Sequence, residues 1–213
     1  FVEVNGFRLR LPNHHHTLWG DLVWHAGRIV SEEIAKTPEW FDVRGKTVVE
    51  FGAGAGLCTL TAAKAGALLV VTTDYPDQIL LDNLRYNTEN IPNIKLVGHK
   101  WGTDPTPVLE ANGGKQFDCA ILCDLVFNIV CHKDLLASLK AMLSPDGVAL
   151  VSYTHHRVRY ADQDMNFFRM AESDYGFQVE ELFTRKHKPM FENDLGDVEI
   201  RSTCHVCLLR FRH

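Results

Sequence analysis

Residues 48–56 read Val-Val-Glu-Phe-Gly-Ala-Gly-Ala-Gly, an apolar strand running straight into a glycine-rich turn. A helical pattern covers residues 57–65, and a second apolar strand, 68–73, ends in Asp74. This strand–turn–helix–strand unit suits an adenosine-containing cofactor. Glycines let the backbone approach the ligand, and a carboxylate at the second strand's tip can accept hydrogen bonds from both ribose hydroxyls. Glu50 stands two residues before Gly52, so the motif is E-x-G-x-G-x-G. Facing a pyrophosphate, that carboxylate would meet like charge at low dielectric. Facing a neutral ribose and a zwitterionic amino-acid tail, it could act through water on the ammonium group. The motif by itself also fits a dinucleotide site, or a tight turn that binds nothing.

Other residues with chemistry fall near the same predicted edge. Gly52, Ala53 and Gly54 are expected beneath the cofactor's tail and ribose, with Asp74 and the adjoining Tyr75 at the ribose end. Gly56 is expected to serve helix packing. Asp74 has an alternative role as cap of the helix after Pro76. Trp101, at the end of a third strand, offers a ring for the adenine face or for the core. Cys123-Asp124-Leu125-Val126-Phe127-Asn128 follows a fourth strand. There Asp124 could accept a hydrogen bond or a proton, Asn128 could offer its amide oxygen, and Phe127 could stabilise a cation. A strand cap and a core ring are the plainer reading of Asp124 and Phe127. Upstream, Leu18-Trp19-Gly20 and Trp24-His25-Ala26-Gly27 put two tryptophans near a helix start, as a lid or as packing against a sheet.

The elements that must position these groups alternate regularly. An extended arm at 2–11 and a helix at 22–36 precede the first strand, 47–51. A helix at 77–89 leads to strand three, 94–99, and a loop with a short helix fills 102–116. Strand four, 117–123, is nearly continuous in apolar residues, as a parallel strand covered on both faces would be. A helix at 133–143, a turn at 144–147, strand five at 148–153 and a helix at 163–175 closed by Gly176 come next. Strands at 177–184 and 199–211, with no helix between them, predict an antiparallel closing hairpin joined by a long polar connection at 186–197. The pattern is an α/β fold with a seven-stranded, mostly parallel, Rossmann-like sheet. It is expected to be one domain over 1–213, with an N-terminal arm and helix at 1–45 and the core at 46–213. Ligands of such sheets bind at the carboxyl ends of the strands, beside the switch in strand order. Gly52, Asp74, Trp101 and Asp124 all fall there.

Composition narrows the class. The 213 residues, 46% hydrophobic, suffice for a substantial core. No apolar run is long enough to span a bilayer, so no membrane association is expected. The chain starts at Phe1 rather than Met, so a preceding segment is expected. A net charge of −5 argues against a nucleic-acid partner and is compatible with a basic protein or peptide. Six cysteines read as small buried apolar groups, reduced in a cytosolic protein. Cys204 and Cys207 have C-x-x-C spacing but lie in a strand pattern, which would send their thiols to opposite faces. No metal site is expected from them or from His14-His15-His16.

Trp24-x-Ala26, Glu50-Phe51-Gly52-Ala53-Gly54, Asp74, Trp101 and Cys123-Asp124 together resemble family 16 of the seven-β-strand methyltransferases, the lysine-methyltransferase-like branch of the class I fold. The resemblance covers nearly the whole chain. A more specific set is 18–27 (Leu-Trp-Gly-x-Leu-x-Trp-x-Ala-Gly), 73–77 (Thr-Asp-Tyr-Pro-Asp), Asn83-Leu84-x-Tyr86-Asn87 and 124–128 (Asp-Leu-Val-Phe-Asn). It is similar to a fungal group within that family, the protein N-terminal methyltransferases of elongation factor 1-alpha, earlier labelled nicotinamide N-methyltransferase-like. The resemblance implies S-adenosylmethionine as cofactor, held by Trp24, Glu50, Gly52, Ala53, Gly54, Asp74, Tyr75, Trp101 and Cys123. Asp124, Phe127 and Asn128 would then face the acceptor amine beside the transferred methyl. Cys123 departs from the alanine or serine common in the family, which preserves a backbone contact but not a hydroxyl one. The implied substrate is the N-terminal glycine and adjacent lysine of elongation factor 1-alpha, methylated by a cytosolic monomer. Rival readings are a lysine methyltransferase of another protein, a small-molecule enzyme acting on a nicotinamide-like pyridine, and a silent binding module of the same fold.

Overall fold

The computed structural model describes residues 1–191 and 193–212. The arm is a hairpin of β1 (Val2–Val4) and β2 (Phe7–Leu9). Its turn is Asn5-Gly6, with φ of 49° and 77°, the two left-handed positions that a tight type I′ connection needs. Val4 and Leu9 pack with Val23, Leu57 and Leu60, which ties the arm to the start of a later helix. The first helix, α1 (His25–Ala35), begins three residues later than the sequence pattern suggests. Trp24 takes extended angles there and the preceding residues turn, so the helical period of Leu22 and Val23 is not continued as helix. Ala26, Ile29, Val30 and Ile34 form its buried stripe.

The core elements are β3 (Thr47–Phe51), α2 (Leu57–Lys64), β4 (Leu69–Asp74), α3 (Gln78–Thr88), β5 (Ile94–Gly98), α4 (Thr106–Ala111), β6 (Phe117–Cys123), α5 (His132–Met142) and β7 (Leu143–Thr154). The closing segment holds α6 (Ala161–Asp164), α7 (Asn166–Ser173), β8 (Phe177–Lys186), α8 (Val198–Arg201) and β9 (Thr203–Phe211). One seven-stranded sheet runs β5-β4-β3-β6-β7-β9-β8. Pairs among β3 to β7 are parallel, while β9 is antiparallel to both β7 and β8. The chain leaves β3 toward β4 and β5, then returns to lay β6 on the other side of β3. That reversal opens a crevice at the carboxyl ends of β3 and β6.

Both faces of the sheet are covered. Val49, Phe51, Ala120, Leu122 and Val151 pack under α5 and α7, through Leu135, Leu139 and Phe167. Val48, Val70, Ile121 and Leu150 pack on the other face against Ala26, Ile34 and Ala62. Period-two alternation within continuous apolar strands produces this division. It also separates Cys207 from Cys204, which lie in the cores of opposite faces.

Several boundaries differ from the sequence pattern. Residues 144–147 extend β7 rather than turning before it, which carries the strand back to Leu143, opposite Phe117. The helix expected at 163–175 is broken into a 3-10 turn at Val158–Tyr160, α6 and α7. The last strand starts at Thr203, because Asp197 caps α8 through the Glu199 N–H at 2.7 Å, so a one-turn helix intervenes before β9. Asp77, not Asp74, caps α3, accepting from the N–H groups of Ile79 and Leu80.

Candidate active site

The glycine turn after β3 is built from left-handed backbone. Gly52, Gly54 and Gly56 have φ of 57°, 56° and 82°. A Cβ on Gly54 would meet nothing within 4 Å, whereas one on Gly52 would strike Leu125 at 2.6 Å and one on Gly56 would strike Leu84 at 2.7 Å. Gly56 thus serves packing of α2 against α3, while Gly54 leaves open space beside a cavity of about 380 Å³. That volume lies within the range of small-molecule sites, roughly 300–1,000 Å³.

Asp74, at the tip of β4, fastens the turn. Its Oδ2 accepts from the Gly54 N–H at 2.7 Å and its Oδ1 from the Tyr75 N–H at 2.7 Å. An ionised carboxylate has about four acceptor positions, so two remain for a ligand's hydroxyls. Burial pushes the Asp74 carboxyl above its ordinary value, against the opposing pull of those two N–H groups.

Glu50 is 3% exposed on β3 and also lines the cavity. Burial raises its pKa to about 8, despite the hydrogen bond with Thr59. The Thr59 hydroxyl bonds to both the Glu50 carboxyl and the Thr72 hydroxyl, the latter at 2.8 Å. One hydroxyl proton cannot serve both. The chain closes in either sense, from Thr72 through Thr59 to an ionised Glu50 or from a protonated Glu50 through Thr59 to Thr72, so burial rather than the hydroxyls decides the charge. Burial thus favours the neutral acid, and a cation beside it would favour the carboxylate.

The β6 side closes the opposite wall. Cys123 ends that strand, its Sγ 3.7 Å from the Sγ of Cys58 at the start of α2. Asp124 follows, 3% exposed and with φ of 57°, an unusual conformation for a residue with a side chain. Its Oδ1 accepts from the Thr154 N–H at 3.2 Å and pairs with His156 Nε2 at 2.9 Å, while Oδ2 is buried without a hydrogen-bond partner among the described residues. Phe127 and Asn128 are half-buried on the loop beyond.

Aromatic rings frame the Asp124 end. Trp24 stacks on Phe127 at 5.8 Å, meets the edge of His156 at 4.8 Å and donates its Nε1–H to the Trp19 carbonyl at 3.2 Å. Phe191, from the connection between β8 and α8, touches both Trp19 and Trp24, at 5.5 and 6.0 Å.

All the residues singled out from the sequence line this one cavity: Trp24, Glu50, Gly52, Ala53, Gly54, Asp74, Tyr75, Trp101, Cys123, Asp124, Phe127 and Asn128. Trp101 sits in the turn after β5 rather than at the strand's end. Others on the lining carried no sequence signal of their own, among them Cys58, His99, Lys100, Cys131 and Asp134. His156 was legible only by position: it follows the carboxyl end of β7, next to β6, on the same sheet edge as the rest. Among the described residues, no group of three or more His, Cys, Asp or Glu is placed to hold a metal ion, and no helix is long and apolar enough to cross a membrane.

Comparison with known proteins adds names. A family model described as lysine methyltransferase matches residues 4–174. A Schizosaccharomyces pombe protein named protein N-terminal and lysine N-methyltransferase efm7 is 42% identical, covering 93% of this chain and 80% of its own. The Yarrowia lipolytica protein of the same name is 38% identical, covering 95% and 81%. Among solved structures, a TehB-like SAM-dependent methyltransferase from Corynebacterium glutamicum superposes with a TM-score of 0.57 at 19% identity, over 91% of this chain and 90% of that one. A ribosomal protein L11 methylase from Lactobacillus delbrueckii subsp. bulgaricus gives 0.54 at 18%, over 90% and 81%. At such identities these two structures speak to the fold alone.

Proposed function

This chain belongs to the lysine methyltransferase family, and we propose that it methylates the N-terminal glycine and adjacent lysine of elongation factor 1-alpha. It is an S-adenosylmethionine-dependent protein methyltransferase, as its curated relatives are. The observation that carries the reading is the continuity of one cavity from the Gly54–Asp74 turn to Asp124, Phe127 and Asn128. A cofactor end and an acceptor end share a single space.

The residues present fit the cofactor. Open space at Gly54 admits a ligand against the backbone, Asp74 keeps acceptor positions for ribose hydroxyls, and Glu50 can balance an ammonium group. Gly52, Ala53 and Tyr75 would complete that end, with Trp101 at the adenine, and Trp24 and Cys123 flanking. When bound, the cofactor supplies an activated methyl on sulfonium, so the protein's task is in-line positioning. The acceptor nitrogen must be uncharged to react. A lysine, at about 10.4, needs more help to lose its proton than an α-amino group at about 7.7–8.0. Asp124 can accept a hydrogen bond from the amine, Asn128 can offer a second acceptor, and the Trp24 and Phe127 rings can shield a methylated cation.

The choice of elongation factor 1-alpha rests on the motif set spanning 18–27, 73–77, 83–87 and 124–128. A protein substrate also accords with the relatives' names. The six free cysteines suit the cytosol, and a cavity lined within one chain suits a monomer. The test is transfer of labelled methyl to purified elongation factor 1-alpha, located by mass spectrometry, beside the same factor with a blocked N-terminus. Label on the terminal glycine, absent when blocked, supports the assignment. Label on internal lysines only moves the chain to a lysine-specific role.

A further inference from the structure

Asp124 is unusual in two independent ways. It holds a left-handed backbone although it carries a side chain, and its Oδ2 is buried with no hydrogen-bond partner among the described residues. Buried polar oxygens are nearly always partnered, and strained, unsatisfied positions gather where a ligand will complete them. The other oxygen is doubly held, by the Thr154 N–H at 3.2 Å and His156 Nε2 at 2.9 Å. His156 does not line the cavity. It lies behind Asp124, edge-on to Trp24 at 4.8 Å and Phe127 at 6.0 Å, and its own N–H donates to the Thr154 carbonyl at 2.9 Å.

We propose that His156 is a positioning residue: its Nε2–H donates to Asp124 Oδ1, fixing the carboxyl so that Oδ2 alone is left to accept a hydrogen bond from the substrate amine. The inference rests on the assignment of Asp124 to the acceptor end. No bond is made or broken at His156. Its surroundings favour the donor form. Burial opposes charge on the ring, but the Asp124 carboxylate outweighs it, helped by Asp164 on α6 and Asp194 on the connection before α8, and the ring's pKa is raised. His25 on α1, in turn, has its pKa lowered by burial and by the charges of His187, Arg28 and His156. Thr154 alone would leave the carboxyl free to turn about a single contact. The second donor removes that freedom, and orientation is what methyl transfer draws on.

The test uses the intact chain, S-adenosylmethionine and a peptide beginning Gly-Lys with a free α-amine. His156→Phe keeps a ring beneath Trp24 and Phe127 but removes the donor. Its kcat is expected to fall roughly 10- to 100-fold, the loss of one hydrogen bond to a charged group. Affinity for S-adenosylhomocysteine and the melting temperature should stay near wild type. His156→Gln places an amide N–H at the reach of Nε2 and should recover kcat to within about threefold of wild type, whereas His156→Asn is too short and should not. The Gln and Asn pair decides the matter even if the Phe variant fails to fold. Wild-type kcat in His156→Phe, or equal losses in Gln and Asn, would overturn the role of His156 alone. A wild-type enzyme that binds S-adenosylhomocysteine yet methylates neither amine of the peptide would overturn the acceptor assignment and this inference with it.

Discussion

Cofactor binding should expel a proton from Glu50. Burial holds this carboxyl near pKa 8, against the pull of the Thr59 hydrogen bond. At pH 7 about nine-tenths of the molecules then carry neutral Glu50. An ammonium group entering the cavity favours the carboxylate, so binding and ionisation are linked. If the bound-state pKa falls below 6, the ionised fraction of the free protein limits affinity. That fraction grows about 20-fold between pH 6 and 7.5, and the association constant for S-adenosylhomocysteine should grow with it. Calorimetry in two buffers of different ionisation enthalpy should find about 0.9 proton released per ligand at pH 7. The ligand's own amine, an amino-acid α-amine beside a carboxylate, titrates well above pH 7.5 and stays charged over this range.

Glu50→Gln supplies the control, because an amide keeps a partner for Thr59 and cannot ionise. Its affinity should be flat over the same range, without proton release. The sign for stability runs with the raised pKa. The protonated acid favours the folded state, so the contribution is whole below the unfolded value near 4.5 and is lost as pH rises through about 8. Over that span the change is on the order of 5 kcal/mol, and Glu50→Gln should remove that slope from urea unfolding. A wild-type affinity that does not change between pH 6 and 7.5 would refute the linkage.

Four other substitutions probe binding and stability. Asp74→Ala removes the acceptor of the Gly54 N–H and the proposed ribose contact, so S-adenosylhomocysteine affinity should fall by about 100-fold or more; near-wild-type calorimetry would sink the assignment of Asp74. Gly54→Ala adds about 1–2 kcal/mol of backbone strain but meets open space, so it should cost affinity more than stability. Gly56→Ala carries similar strain and also drives into Leu84, so its thermal midpoint should drop further; the reverse order of midpoints would contradict the packing. Arg185→Met cuts β8 from Glu32 and Glu33 on α1 and should cost about 1–2 kcal/mol at pH 7 in urea unfolding. Burial would raise the Glu33 pKa, but Lys36 and Arg185 hold it low, so that deficit should shrink as pH falls below about 4.5.

The parts of the fold legible in the sequence were those whose cause is local. Val48 to Gly56 encode strand, turn and helix start within a few residues, and the alternation of elements then sets the sheet order. Boundaries failed where a neighbour in space decided them. Trp24 stops α1 from extending to Leu22 because its ring turns to Trp19, Phe127 and His156, and Asp197 starts a helical turn inside an apparent strand. Asp74 and Asp77 have the same type and nearly the same place. Only the strand's length shows that the first faces the cavity and the second caps α3. His156 reaches Asp124 across 32 residues, a contact with no sequence signature of its own.

This difference in legibility follows the division of the site. The Glu50–Gly54–Asp74 end comes from two adjacent strands and one turn, so its geometry is fixed by short-range structure. The Asp124 end is assembled from the approach to α1, the loops after β6 and β7, and the connection carrying Phe191. Each piece can vary without disturbing the sheet, as the proposed seat of substrate choice would need. Trp24 belongs to both, lining the cavity at the start of α1 while stacking on Phe127 and covering His156. On the proposed assignment, a side chain so placed would couple acceptor recognition to the cofactor end of the cavity. Its truncation should therefore weaken peptide binding and S-adenosylhomocysteine binding together, where a change at Asn128 should weaken the peptide alone.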